Sequence, residues 1–328
     1  MNRMVNPPAL VLVGALVATA CTSKGGTNGT QPSLETMEIA SYELVTNEPN
    51  RLLVGLVAKD GVVSYGTAQM KFFYLGKEND ASVPKAQVGE PVSAEFVLVP
   101  EENQPVPSDE EMAQARQRNP EVTDIAKVRG VYEATGVIFD KPGFWLVEAS
   151  VELGGRRQAV TGTFAVRNKP AYPAPGEEAP RSDNLTVADH DDAALTAVDS
   201  RANDGKLPDP QLHKATVADA LAKHQVTVVV VSTPVYCQSR FCGPITDEIA
   251  DVATDYGDRA AFIHLEVWRD FQKKVVNKAA AQWVYRGNNL TEPWIFLIGA
   301  DGKIVDRWQN VVDRDQLEEE LTRLTEPA

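Results

Sequence analysis

Two cysteines five positions apart stand where a strand gives way to a helix, and their type and place suit disulfide exchange. The segment reads Thr233-Pro234-Val235-Tyr236-Cys237-Gln238-Ser239-Arg240-Phe241-Cys242-Gly243-Pro244. It follows Val226 to Ser232, a β-branched run of the kind that forms a strand covered on both faces. Reactive groups in open α/β sheets collect at the carboxyl ends of strands. A helix N-terminus beside a thiol favours the thiolate, because unpaired N–H groups face the charge. One thiol can then attack a partner disulfide while the other resolves the mixed disulfide. The spacing sets a geometric condition. Cα atoms five apart on a regular helix lie about 8.7 Å from each other, beyond the roughly 7 Å that a disulfide tolerates. Residues 237–241 must therefore leave helical geometry if the pair is to close. Cys237 is expected to be the exposed attacker. Cys242 is expected to be the buried resolver, with the regular helix starting near Pro244, whose fixed φ suits a first turn. The converse assignment stays open, as does a disulfide that only staples the chain.

The third cysteine implies different chemistry. Arg3 precedes an apolar run, Ala9 to Ala20, which ends Leu16-Val17-Ala18-Thr19-Ala20-Cys21. Twelve residues are too few to span a bilayer, which needs about 20, but they suit the apolar part of a signal peptide. Small residues just before a cysteine resemble a bacterial lipobox, which implies removal of residues 1–20 and lipidation of Cys21. Residues 21–36 are polar and small, a flexible tether. The expected location is the extracytoplasmic side of the cell membrane, with lipid on Cys21 as the only anchor.

The elements that would position the cysteine pair fall into regions. Residues 37–167 carry short alternating runs, such as Arg51 to Val57, Gln69 to Leu75 and Ser93 to Val99, broken by turn residues such as Asp60-Gly61. This pattern predicts an all-β, immunoglobulin-like sandwich. Residues 168–215 are rich in Pro and Asp and read as a semi-rigid linker. Residues 216–328 change period. Strands at Val226–Ser232, Ala261–Val267, Trp294–Gly299 and Lys303–Trp308 alternate with helices at Ile245–Tyr256, Phe271–Arg286 and Asp313–Leu324, the order β-α-β-α-β-β-α. The chain has 328 residues, a formal net charge of −14 and 24% charged residues. The acidic balance argues against nucleic-acid binding, which needs clustered Lys and Arg. No glycine loop of the phosphate-binding kind is present, and no cofactor is expected.

That element order, Cys242-Gly243-Pro244 and Thr291-Glu292-Pro293-Trp294 together resemble the thioredoxin superfamily. The resemblance implies an α/β thioredoxin-like fold over residues 216–326 and a cis peptide before Pro293. It also implies a substrate face at Glu292, Pro293 and Trp294 beside the sulfurs. The sequence departs from the family in its Cys-x4-Cys spacing, in Val231 where a buried acid is usual, and in Glu292, whose carboxylate would raise a nearby thiol pKa. Asp140-Lys141-Pro142-Gly143-Phe144-Trp145 resembles a sandwich that precedes such modules in bacterial surface lipoproteins. The expected function is thiol–disulfide exchange on extracytoplasmic proteins bearing thiols or disulfides. Three alternatives remain: a redox-inactive scaffold with a structural disulfide, a peroxidase similar to atypical two-cysteine peroxiredoxins, and a copper-handling factor using both cysteines and His264. His264 is the one weak metal candidate. His190, His213 and His224 read as surface or linker residues.

Overall fold

The computed structural model describes residues 32–77, 86–100, 106–189 and 194–326. The signal segment, Cys21 and His190 lie outside these residues. Nine strands form the first sheet: β1 (Leu34–Ile39), β2 (Asn50–Ala58), β3 (Gly61–Ser64), β4 (Thr67–Gly76), β5 (Gln87–Val99), β6 (Glu121–Thr123), β7 (Arg129–Val137), β8 (Gly143–Leu153) and β9 (Arg156–Val166). The helix α1 (Asp109–Gln117) crosses over between β5 and β6, started by a Ser108–Glu111 capping box. The pairings are antiparallel in the order β1-β2-β7-β5-β4-β8-β9, with β3 and β6 continuing beside β2.

The sheet curls on itself. Gly162 of β9 faces β1 so closely that a Cβ there would sit 2.9 Å from Met37 Sδ, although β1 and β9 stand at opposite ends of the order. The concave side encloses one core, with Leu52, Val54, Met70, Phe72, Phe96, Tyr132, Phe139, Trp145 and Val147 all buried. Alternation along each strand puts one set of side chains into this core.

The second half is built on four strands in the order β11-β10-β16-β17. They are β10 (Thr227–Ser232), β11 (Ala261–Glu266), β16 (Trp294–Ile298) and β17 (Ile304–Gln309). Only the β10–β11 pairing is parallel. Every residue of β10 is buried, for a simple reason. Val228 and Val230 face α3 (Cys242–Tyr256) and α5 (Arg314–Thr325), while Val229 and Val231 face α2 (Val217–Ala222) and α4 (Lys278–Val284). Each valine removed from water contributes about 1.5–3 kcal/mol. Two short hairpins fill the remainder: β12 (Trp268–Asp270) with β13 (Val275–Val276), and β14 (Tyr285–Arg286) with β15 (Asn289–Leu290).

These observations correct the expected fold class. The chain is mostly β, and its first half is one curled antiparallel sheet, not an immunoglobulin-like sandwich of two sheets. Alternation reports that one face of a strand is buried, and a curled sheet meets that condition as well as a sandwich does. The second half is not a separate α/β thioredoxin-like domain either, because the described residues from Pro32 onward form one compact unit. Arg51 of β2 makes the join. Its guanidinium donates to Asp306 Oδ1 and Oδ2 at 3.2 and 2.7 Å, to the Arg307 carbonyl at 2.8 Å and to Gln316 Oε1 at 2.7 Å. The expected helix Phe271–Arg286 is replaced by a turn at 271–274, then β13, α4 and β14. Lys274 adopts a left-handed φ of 56°, and β-branched Val275 and Val276 extend after it.

Candidate functional site

The Cys237–Cys242 pair forms a disulfide with Cα atoms 5.9 Å apart. The chain meets the distance condition by breaking helical geometry: Arg240 has φ 64°, and α3 begins only at Cys242. Ser232 ends β10, the Tyr236 N–H donates to the Thr233 carbonyl at 3.2 Å, and Val235 and the 238–240 segment are exposed. Cys242 is completely buried, whereas Cys237 keeps part of its surface in solvent. Cys237 Sγ lies 3.3 Å from Ser239 Oγ.

Two concave surfaces flank the disulfide. One, of about 270 Å³, is lined by Cys237, Arg129 and Arg240 with Pro234, Val235 and Pro244. The other, of about 570 Å³, is lined by Tyr42, Tyr236, Ser239, Trp268, Phe271 and Glu292. Tyr236 and Phe271 stack at 4.0 Å, and Lys274 covers Phe271. Tyr42 reaches in from the first half, its hydroxyl against the Glu292 carbonyl and 2.6 Å from Asn310 Oδ1. Burial, reinforced by Glu292 and only partly offset by hydrogen bonds with Ser239 and Asn310, keeps that phenol protonated well above its ordinary range.

The Glu292–Pro293 bond is cis, and Pro293 is buried. Glu292 Oε2 is shielded from solvent and has no hydrogen-bond partner. Burial, reinforced by the charge of Glu266, pushes the Glu292 carboxyl up to about 8. At neutral pH it is therefore mostly uncharged, and its effect on a neighbouring thiolate is weak. Trp294 points inward: its ring packs 5.1 Å from Tyr172 and 5.7 Å from Phe296, and its Nε1 donates to Thr291 Oγ1 at 3.0 Å.

Beneath the disulfide lies a buried polar cluster that sequence reasoning did not assemble. Asp199, His213 and His264 are fully buried. Asp199 Oδ2 is 3.5 Å from His213 Nε2 and 3.4 Å from His264 Nδ1. Arg201 holds the same carboxylate through Nε and NH2, and also pairs with Asp209 and Asp247. Burial opposes ionisation of Asp199, but His213, His264 and Arg201 together hold its carboxyl far below the usual range. His213, expected at the surface, is instead 0% exposed at the end of a 3-10 turn, Pro210–His213. Its burial follows from Leu212, which anchors that turn in the core under α3. Asp199 and His213 sit in a stretch without regular periodicity, which hides their approach to His264. His224 is exposed, with its Nδ1 3.1 Å from the Ala300 carbonyl. His264 contacts Asp199, Ser232 and His213, so the two-cysteine, one-histidine set of the copper reading is not assembled among the described contacts.

No protein-family model matches this chain, and no curated protein matches it. Membership of the thioredoxin superfamily, expected from the cysteine and proline motifs, is therefore corrected: the motifs are short, and neither a family match nor the mostly β architecture supports the assignment.

Proposed function

We propose that the protein carries out thiol–disulfide exchange through Cys237 and Cys242, on the extracytoplasmic side of a membrane to which lipid on Cys21 tethers it. The observation that carries this reading is the asymmetry of the disulfide. Cys237 is reachable and lies beside Arg129 and Arg240, while Cys242 is sealed at the head of α3. In the reduced protein, the Cys237 thiolate attacks a client disulfide, forming a mixed disulfide and expelling one client thiolate. The Cys242 thiolate then attacks Cys237 Sγ, which re-forms the intramolecular bond and releases the second client thiol. The client is reduced and the protein oxidised; run backwards, the same steps oxidise a client dithiol. The clients are extracytoplasmic proteins bearing thiols or disulfides.

Trapping tests the reading. Cys242→Ser should accumulate mixed disulfides through Cys237, and Cys237→Ser should not. Neither variant should reduce insulin, which the wild-type protein should. Trapping by Cys237→Ser would reverse the roles. A second reading, a structural staple, draws on the complete burial of Cys242. It predicts that neither thiol of the reduced, folded protein exchanges with a client and that reduction lowers stability by about 2–4 kcal/mol. Cys21→Ser should move the protein to the soluble fraction; a variant that stays membrane-bound would overturn the lipid anchor.

A further inference from the structure

We propose that Asp199, His213 and His264 bind a divalent first-row metal ion, zinc by the chemistry of the donors. The argument begins with a count of protons. The Cys242 carbonyl can only accept, so its 2.7 Å contact with Thr246 Oγ1 uses the single Thr246 proton. Thr246 Oγ1 is then the acceptor in its 2.7 Å contact with Ser232 Oγ, which uses the single Ser232 proton. Ser232 Oγ is left to accept from His264 Nε2 at 3.0 Å, and the Ser232 carbonyl at 3.3 Å from the same nitrogen can also only accept. The proton of neutral His264 is thus on Nε2. Its Nδ1 presents a lone pair to Asp199 Oδ2 at 3.4 Å, with both side chains 0% exposed.

Two facing lone pairs in a dry interior are relieved by a cation between them, either a second proton on His264 or a metal ion. A metal ion fits the spacing. Tetrahedral coordination with bonds of 2.0–2.1 Å places neighbouring donor atoms about 3.3–3.4 Å apart, against 3.4 and 3.5 Å from Asp199 Oδ2 to the two histidines. The three donor atoms lie within 4.8 Å of one another, so binding also draws the two imidazoles together. His213 supports the assignment, because neither of its buried nitrogens has a hydrogen-bond partner. Charge points the same way. Asp199, Asp209 and Asp247 surround a single guanidinium, that of Arg201. Two imidazoles and one carboxylate suit zinc, and Ser232 fixes His264 from behind, as outer partners of ligating histidines do. Because the site is sealed, the ion enters during folding. The chain Ser232–Thr246–Cys242 joins the site to the first residue of α3, so the ion steadies the shelf under the disulfide.

The test uses the full chain carrying Cys237→Ser and Cys242→Ser, so that no pair thiol binds metal. Refolded with zinc, it should retain about one equivalent through gel filtration. Cobalt in its place should give the absorption of a tetrahedral site. His213→Gln and His264→Gln should each weaken binding by more than the ~10–100-fold expected for Ser232→Ala, an outer partner. If those variants fail to fold, the parent decides: a chelator present during refolding should lower its Tm, and zinc should restore it. Absence of retained zinc or cobalt in a folded parent overturns the proposal. So does nitrogen NMR showing both His264 ring nitrogens protonated in the presence of zinc, since a proton is then the cation. The cysteine variants separate this outcome from failure of the exchange reading.

Discussion

Glu292 illustrates how burial sets the pH at which a single side chain becomes charged. As a carboxylate it would repel a thiolate, yet its burial and the nearby Glu266 keep it protonated up to about pH 8. Its charge therefore switches on only in mildly alkaline solution. Glu292→Gln is expected to leave the alkylation rate of reduced Cys237 within about twofold of wild type at pH 6–7, and to raise it above wild type at pH 9. Iodoacetamide labelling at graded pH measures this, and identical profiles at every pH would remove Glu292 from the site's electrostatics. At this scale the sequence was informative where chemistry is carried by residue type. Cys237, Cys242 and Glu292 stand out because their spacing or their neighbours are unusual. Tyr42 and Asp199 do not, because each reaches its partners across long sequence separations, as in the contact of Tyr42 with Asn310.

Element by element, the boundaries follow local signals. Thr216 caps α2 by accepting from the Asp219 N–H at 3.0 Å, and Asp313 caps α5 by accepting from the Gln316 N–H at 3.0 Å. The turn before β8 has an equally local cause. Gly143 has φ 132°, a region that side chains avoid, and a Cβ there would lie 2.6 Å from the Gly76 carbonyl. This lets Trp145 return its Nε1 to the Lys141 carbonyl at 3.1 Å while its ring packs 5.0 Å from Phe139. Gly143→Ala should therefore destabilise the fold by about 1–3 kcal/mol, the cost of a strained backbone conformation. A urea midpoint equal to wild type would show that β4 and β8 absorb the methyl. The span 271–286 marks the limit of local reading. Alanines and lysines there favour a helix, but α4 keeps only Lys278–Val284. Stacking of Phe271 on Tyr236 and pairing of Val275 and Val276 with β12 take the preceding residues. The first is a tertiary contact and the second a local hairpin, and together they override helix propensity.

Across the whole molecule, buried carboxyls and shared contacts set the response to pH and denaturant. Glu248, Glu292 and Glu133 have carboxyls raised to about 8, 8 and 7, each chiefly by burial. A carboxyl raised in the folded state stabilises the fold fully below its unfolded value, and the benefit is lost as pH rises through the folded value. Stability should therefore fall as pH rises from about 5 to 9. Glu248→Gln should flatten the slope, with Tm against pH as the measurement; a Tm that rises over that range contradicts it. The depressed carboxyl of Asp199 contributes constantly over this window, since its loss begins only in acid.

The coupling between the two halves was the feature least visible in sequence. Residues 168–183 read as a spacer, yet Tyr172 is buried against Trp294, and Ser182 accepts from Trp283 Nε1 at 2.9 Å. The first sheet adds the Arg51 contacts to Asp306 and Gln316, with the guanidinium 5.0 Å from the centre of the Trp308 ring. Such contacts join elements more than 250 residues apart in sequence, beyond the reach of any periodicity. They predict cooperative unfolding. Trp145 lies in the first sheet, whereas Trp268, Trp283, Trp294 and Trp308 lie in the second half. In a Trp145→Phe protein, fluorescence reports the second half alone, while the part of the parent's fluorescence that this substitution removes reports the first. The two urea midpoints should coincide, and Arg51→Ala should lower both together, by about 3–5 kcal/mol in stability, because Asp306 and Glu133 lose their shared cation. If Arg51→Ala moves only one midpoint, or the parent shows two separate transitions, the halves fold independently, and the Arg51 contacts add little to the stability of either.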